Sequence, residues 1–110
     1  MELIIPAPTD TFAALGDPTR FAIVESLLET GEQPAGAIHD SFDLSATAVS
    51  RHLKVLREAD IISRRKHGKQ RLYTVKPDAI QAINDWAISY QTFWSGSLDR
   101  LAASLGKDST

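Results

Sequence analysis

The stretch SATAVSRHLKVLREADIISRRKHGKQRLYTV, residues 45–75, decides the fold, because its periodicity changes half-way along. In the first part Val49, Leu53 and Leu56 recur at steps of four and three, which gathers them on one side of a 3.6-residue helix. Thr47, Arg51 and Lys54 fall on the opposite side, with Ser50 and His52 on the flanks. Ser45 stands at the N-cap, where its hydroxyl can accept a backbone N–H. Leu44 before the cap and Val49 after it have the spacing of a hydrophobic staple. The helix therefore has one face to bury and one face of hydrogen-bonding and cationic groups. From Ile61 the chain reads as two β-strands around a His67-Gly68 turn. A two-residue loop at that dipeptide sets Lys66 against Lys69, Arg64 against Arg71 and Ile62 against Tyr73. Like charges opposed across strands cost stability, so such a hairpin suits a polyanionic partner.

Upstream, three helical segments precede the capped one. Residues 9–15 form the first, with Phe12 and Leu15 on one face and Gly16 closing it. Asp17-Pro18 opens the second, since Asp accepts backbone N–H bonds at an N-cap and Pro at the first helical position loses nothing. Phe21, Val24, Leu27 and Leu28 make its apolar stripe, and Gly31 ends it. Pro34 starts the third, where Ile38 and Phe42 lie four apart. Downstream of Pro77, Ile80, Ile83, Trp86 or Ala87, Tyr90, Trp94, Leu98, Leu101 and Leu105 recur at helical steps, with Gly96 a candidate break or close contact. The predicted fold is mainly α with a small β-hairpin: a winged helix-turn-helix of five or so helices and a two-stranded wing, one domain over residues 1–110.

Composition narrows the function. The 110 residues allow one core, and a thin one, which a second subunit would extend. The absence of cysteine removes disulfides, thiolate metal ligands and thiol switches, and fits a reducing cytoplasm. The apolar run Leu3-Ile4-Ile5 is too short for a signal peptide or a membrane span, so no membrane partner is expected. The net charge of −2 argues against a nucleic-acid binder until it is divided along the chain. Residues 51–71 hold eight basic and two acidic side chains, a net of +6, whereas the remainder holds four basic and twelve acidic, a net of −8. One concentrated basic stretch is the electrostatic footprint of a DNA-binding surface.

A capped helix after a turn fits the major groove, which is about 12 Å wide, with its N-terminal residues nearest the base edges. Thr47, Ser50 and Arg51 are the candidates for base contact. Ser45, the cap, is a further candidate DNA-binding residue of this helix, whose N-terminal dipole and free N–H groups favour phosphate; His52 and Lys54 are candidates for holding phosphate, which fixes register without reading sequence. Arg64, Arg65, Lys66, His67, Lys69 and Arg71 make the wing a second phosphate-binding element. An enzyme is not expected: there is no cysteine, nucleophile elbow or phosphate loop, and no motif places a pair of carboxylates. His39 with Asp40 and Asp43 reads as a solvated helix surface rather than a metal site. An interaction module docking an acidic partner through the wing, and a small-ligand carrier using the C-terminal aromatic residues, remain as alternatives.

Ala14-Leu15-Gly16-Asp17-Pro18-Thr19-Arg20, then residues 44–59 (LSATAVSRHLKVLREA), then a basic hairpin ending in Leu72-Tyr73, closely resemble the ArsR/SmtB family of winged-helix repressors over about residues 9–90. The resemblance implies a homodimer that binds a (pseudo)palindromic double-stranded DNA operator and releases it when an effector, a small molecule or a protein, binds. It also implies that the first and last helices form the dimer interface, here Phe12, Leu15, Trp86, Tyr90, Phe93 and Trp94. Metal-sensing members carry a cysteine pair in the third helix, or paired Asp and His on the last helix. Residues 32–38 here contain no such pair, and the last helical segment has Asp78 and Asp85 but no histidine. The chain therefore resembles the subgroup without metal-binding cysteines; no metal and no cofactor is expected, and the effector is of non-thiol chemistry.

Overall fold

The computed structural model describes residues 7–108, apart from the side chains of Thr92, Trp94, Lys107 and Asp108. The elements run α1 (Thr9–Leu15), α2 (Pro18–Thr30), β1 (Gln33–Pro34), α3 (Ala35–Phe42), α4 (Ala46–Glu58), β2 (Ile62–His67), β3 (Gln70–Val75), α5 (Pro77–Ser89) and α6 (Gln91–Asp108). This is a winged helix-turn-helix, with six helices and one antiparallel three-stranded sheet among the described residues.

The expected caps form. Asp17 Oδ2 accepts the Arg20 backbone N–H at 3.0 Å, and Ser45 Oγ accepts that of Ala48 at 3.1 Å. At the end of α2, Gly31 adopts φ 82°, a left-handed value that favours glycine, and its N–H returns to the Leu27 carbonyl. Gly16 differs: it closes α1 with φ −69°, so no left-handed turn is made there. The turn between α3 and α4 passes instead through Asp43 at φ 50°, a conformation that Asp tolerates better than most residues.

The core is built from Ile23, Val24 and Leu27 of α2, Ile38 of α3, Val49, Leu53 and Leu56 of α4, and Ile61, Ile62 and Tyr73 at the base of the wing, with Ala14 and Ala79 at its edges. Leu44 packs against this cluster from outside, as the staple requires. The predicted stripe of α2 is turned: Ile23 is fully buried whereas Phe21 and Leu28 are exposed. Because α2 meets α1, α4 and β3 together, the face those elements share is the one around Ile23, Val24 and Leu27.

Three further expectations are corrected. The sheet has a third strand, β1, which pairs with β3 through Gln33–Tyr73 and Pro34–Leu72. The hairpin register is also shifted. His67 faces Gln70, Lys66 faces Arg71, Arg65 faces Leu72 and Arg64 faces Tyr73, so the loop is Gly68-Lys69. Gly68 has φ 65° while Lys69 is not left-handed, the pattern of a type II′ turn, which demands glycine at the first loop position. Finally, the C-terminal helical segment breaks at Tyr90, not at Gly96, which lies inside α6. The molecule is long and flat, 67 × 37 × 20 Å, with a radius of gyration of 19.3 Å. A compact chain of this length would have a radius of about 13 Å.

Candidate nucleic-acid interface

Helix α4 divides as its periodicity requires. Val49, Leu53 and Leu56 are buried; Thr47, Ser50, Arg51 and Lys54 are exposed and, with Ala46, line one shallow open depression on the first turns of the helix. Ser45 satisfies a first-turn N–H, and the other free N–H groups there keep the positive end of the helix dipole beside that depression. Lys54 Nζ stands 3.9 Å from Glu58 Oε1 one turn on, an exposed pair that leaves the ammonium in solvent.

His52 lies apart from this group. Its Nδ1 is buried without a hydrogen-bond partner and stands 4.0 Å from Asp17 Oδ2, at the N-terminus of α2. The Asp17 carboxyl is held below its ordinary range, first by the Arg20 backbone N–H and then, against the effect of burial, by the charges of Arg20 and His52. The imidazole thus leans on α2 as well as flanking the groove-facing surface.

In the wing, every residue from 63 to 71 is exposed. Side chains alternate across the sheet, so Arg64, Lys66 and Arg71 share the face that carries Ile62 and Tyr73 nearer the body. Arg65 and His67 point to the other face, and Lys69 sits in the loop. Arg65 does not stand free: its Nε and Nη2 donate to the two carboxylate oxygens of Glu32 at 2.8 and 2.7 Å. That hydrogen-bonded pairing, reinforced by the charges of Arg65 and His67, holds the Glu32 carboxyl below its usual range and raises the Arg65 guanidinium in turn. Nothing in the local sequence pattern marks Glu32, because its partner is 33 residues away.

Of the residues expected at a subunit interface, Phe12 and Trp86 meet edge-on at 5.2 Å between ring centres, and Trp86 meets Tyr90 likewise at 5.6 Å. This aromatic chain ties α1 to α5. Leu15 is half-buried against the core, whereas Phe12, Tyr90 and Phe93 remain exposed. The side chain of Trp94 lies outside the described residues.

A helix-turn-helix domain family matches residues 15–65, from the end of α1 into the first strand of the wing. The transcriptional repressor SdpR of Bacillus subtilis is 32% identical over 81 residues, covering 74% of this chain and 89% of SdpR. A solved structure of a possible transcriptional regulator for arsenical resistance is 35% identical and superposes with a TM-score of 0.65 over 86% of this chain and 95% of its own. The chain belongs to the ArsR family of transcriptional regulators. The fold agrees: a solved ArsR family regulator, 24% identical, superposes with a TM-score of 0.72 over 86% of this chain and 97% of its own. As an ArsR-family protein the chain is a DNA-binding transcriptional regulator rather than an enzyme. Among the described residues no helix is long and apolar enough to cross a membrane.

Proposed function

We propose that this ArsR-family protein is a homodimeric transcriptional repressor of the cytoplasm that reads a (pseudo)palindromic operator and releases it on binding an effector of non-thiol chemistry. Thr47, Ser50 and Arg51 of each protomer contact base edges in the major groove; Ser45, His52, Lys54 and the wing hold the flanking phosphates. The observation that carries this reading is the pairing of one exposed polar and cationic face, at the capped N-terminal half of α4, with a wing that sets Arg64, Lys66 and Arg71 on a single side. Arginine bonds guanine bidentately, and Ser or Thr hydroxyls serve several bases.

Dimerisation is supported by the exposed apolar side chains of Phe12, Tyr90, Phe93, Leu98, Leu101 and Leu105, which run from α1 along the C-terminal helices. Leu98, Leu101 and Leu105 recur at helical steps on α6, and exposed apolar side chains gathered in that way mark a contact surface. A two-fold dimer presents two α4 helices about one turn of DNA apart, about 34 Å, and so requires a site with matching half-sites. Repression is supported by SdpR, which is itself named a repressor. A sequence without cysteine supports an effector that is not sensed through a protein thiol.

Fluorescence anisotropy with duplex DNA from upstream of the gene tests the proposal. If two protomers make about 6–10 phosphate contacts, affinity falls about 10³–10⁵-fold between 50 and 200 mM salt. Absence of binding, or binding indifferent to salt, contradicts it and favours a protein partner for the wing.

A further inference from the structure

We propose that Glu32 is a positioning residue for the wing: by gripping the Arg65 guanidinium across the sheet, it sets the angle at which the hairpin leaves the body, and hence where Arg64, Lys66 and Arg71 stand when they meet DNA. The inference rests on the DNA-binding reading above and adds to it a residue outside both the α3–α4 pair and the hairpin.

The geometry is specific. The strands lie in the order β1-β3-β2, and Pro34, Leu72 and Arg65 form one row across them. Glu32 lies immediately before β1, two residues from Pro34, and its carboxylate meets the Arg65 side chain over that row. The guanidinium therefore crosses over the middle strand and joins the outer strand of the wing to the short segment between α2 and β1. Both carboxylate oxygens are engaged, at 2.7 and 2.8 Å, so the pair fixes orientation as well as distance.

The hairpin needs such a strut. Its outer strand β2 is hydrogen-bonded only to β3, and β3 is held on its other side by just two paired residues of β1. A two-stranded ribbon beyond that point twists readily. The Glu32 carboxylate stands on the opposite face from Arg64, Lys66 and Arg71, so it braces the ribbon without neutralising the face that carries them. An exposed ion pair contributes little to global stability, so its removal is felt in geometry rather than in melting.

A rival account makes the opposite prediction. If Glu32 merely masks Arg65 from phosphate, removing its charge frees another cation and tightens binding. The test uses the full chain and a duplex that the wild type binds, with anisotropy titrations over a range of salt and thermal melts of each variant. E32Q is expected to weaken binding about tenfold and to flatten the salt dependence by about one phosphate contact per protomer, while melting within a few degrees of wild type. R65Q behaves alike. The charge-swapped double variant E32R/R65E, whose net charge is unchanged, recovers most of the affinity because the strut is rebuilt with its ends exchanged. E32Q binding as tightly as wild type, or more tightly with a steeper salt dependence, overturns the proposal. So does failure of the swap to recover what the folded single variants lose. A wild type that ignores DNA overturns the DNA-binding reading itself and the positioning role with it, an outcome distinguishable from either of these.

Discussion

Lys66 stands directly opposite Arg71 across the wing, with both side chains exposed on one face of the sheet. Two cations at a directly opposed pair repel, at a cost of about 0.2–1 kcal/mol. The hairpin tip is therefore less stable alone than it would be with opposite charges. Lys66→Glu should raise the melting temperature of the free protein in low salt and weaken its binding to DNA. A variant that is both less stable and equally competent to bind would show that the pair has no part in the interface.

Asp17 Oδ2 serves two partners, the Arg20 backbone N–H at 3.0 Å and, more distantly, His52 Nδ1 at 4.0 Å. Its pKa is lowered in the folded chain. The stabilisation it provides is thus fully present above the ordinary carboxylate range, and is lost as pH falls through the lowered folded value. Asp17→Asn should keep the cap, since Asn is as good an N-cap as Asp, but lose this acid sensitivity; Asp17→Ala should lose both. Urea midpoints measured from neutral pH down to pH 3 check this: equal acid sensitivity in wild type and Asp17→Asn would contradict it.

The two faces of α4 should separate stability from binding. Leu53→Ala removes a fully buried side chain and should cost about 2–5 kcal/mol of folding stability. Thr47→Ala, exposed on the same helix, should change stability by no more than about 0.5 kcal/mol and yet reduce DNA affinity. Denaturant unfolding together with anisotropy reads both, and a Thr47→Ala protein with wild-type affinity would remove Thr47 from the interface.

Leu101 is exposed on α6 and belongs to the apolar series proposed to bury against a second copy. Leu101→Glu should yield a folded monomer at micromolar concentration by sedimentation equilibrium, with far weaker binding to a two-half-site duplex. A wild type that sediments as a folded monomer under the same conditions would refute the dimer.

Much of this was legible in the linear pattern, for local reasons. The two caps, the buried stripe of α4 and its opposite polar face depend on residues within one or two turns of each other, which periodicity reports directly. What periodicity missed depends on distant partners. β1 is two residues long and has no alternation to detect. The wing register turned on whether Gly68 is the first or second loop residue, and only the backbone angle decides that. Phe21 and Leu28 are spaced as core residues, but the neighbours of α2 cover the face around Ile23. Glu32 carried no mark at all, because its role comes from a guanidinium delivered by the other side of the sheet.

Selecting bound duplexes from a random DNA pool with wild type and Arg51→Ala in parallel decides whether α4 reads bases while the wing holds phosphates. Wild type should enrich an inverted repeat, and Arg51→Ala should lose preference at one symmetry-related position in each half-site while keeping the rest. Enrichment of the same sequence by both proteins, or of none by wild type, would contradict it.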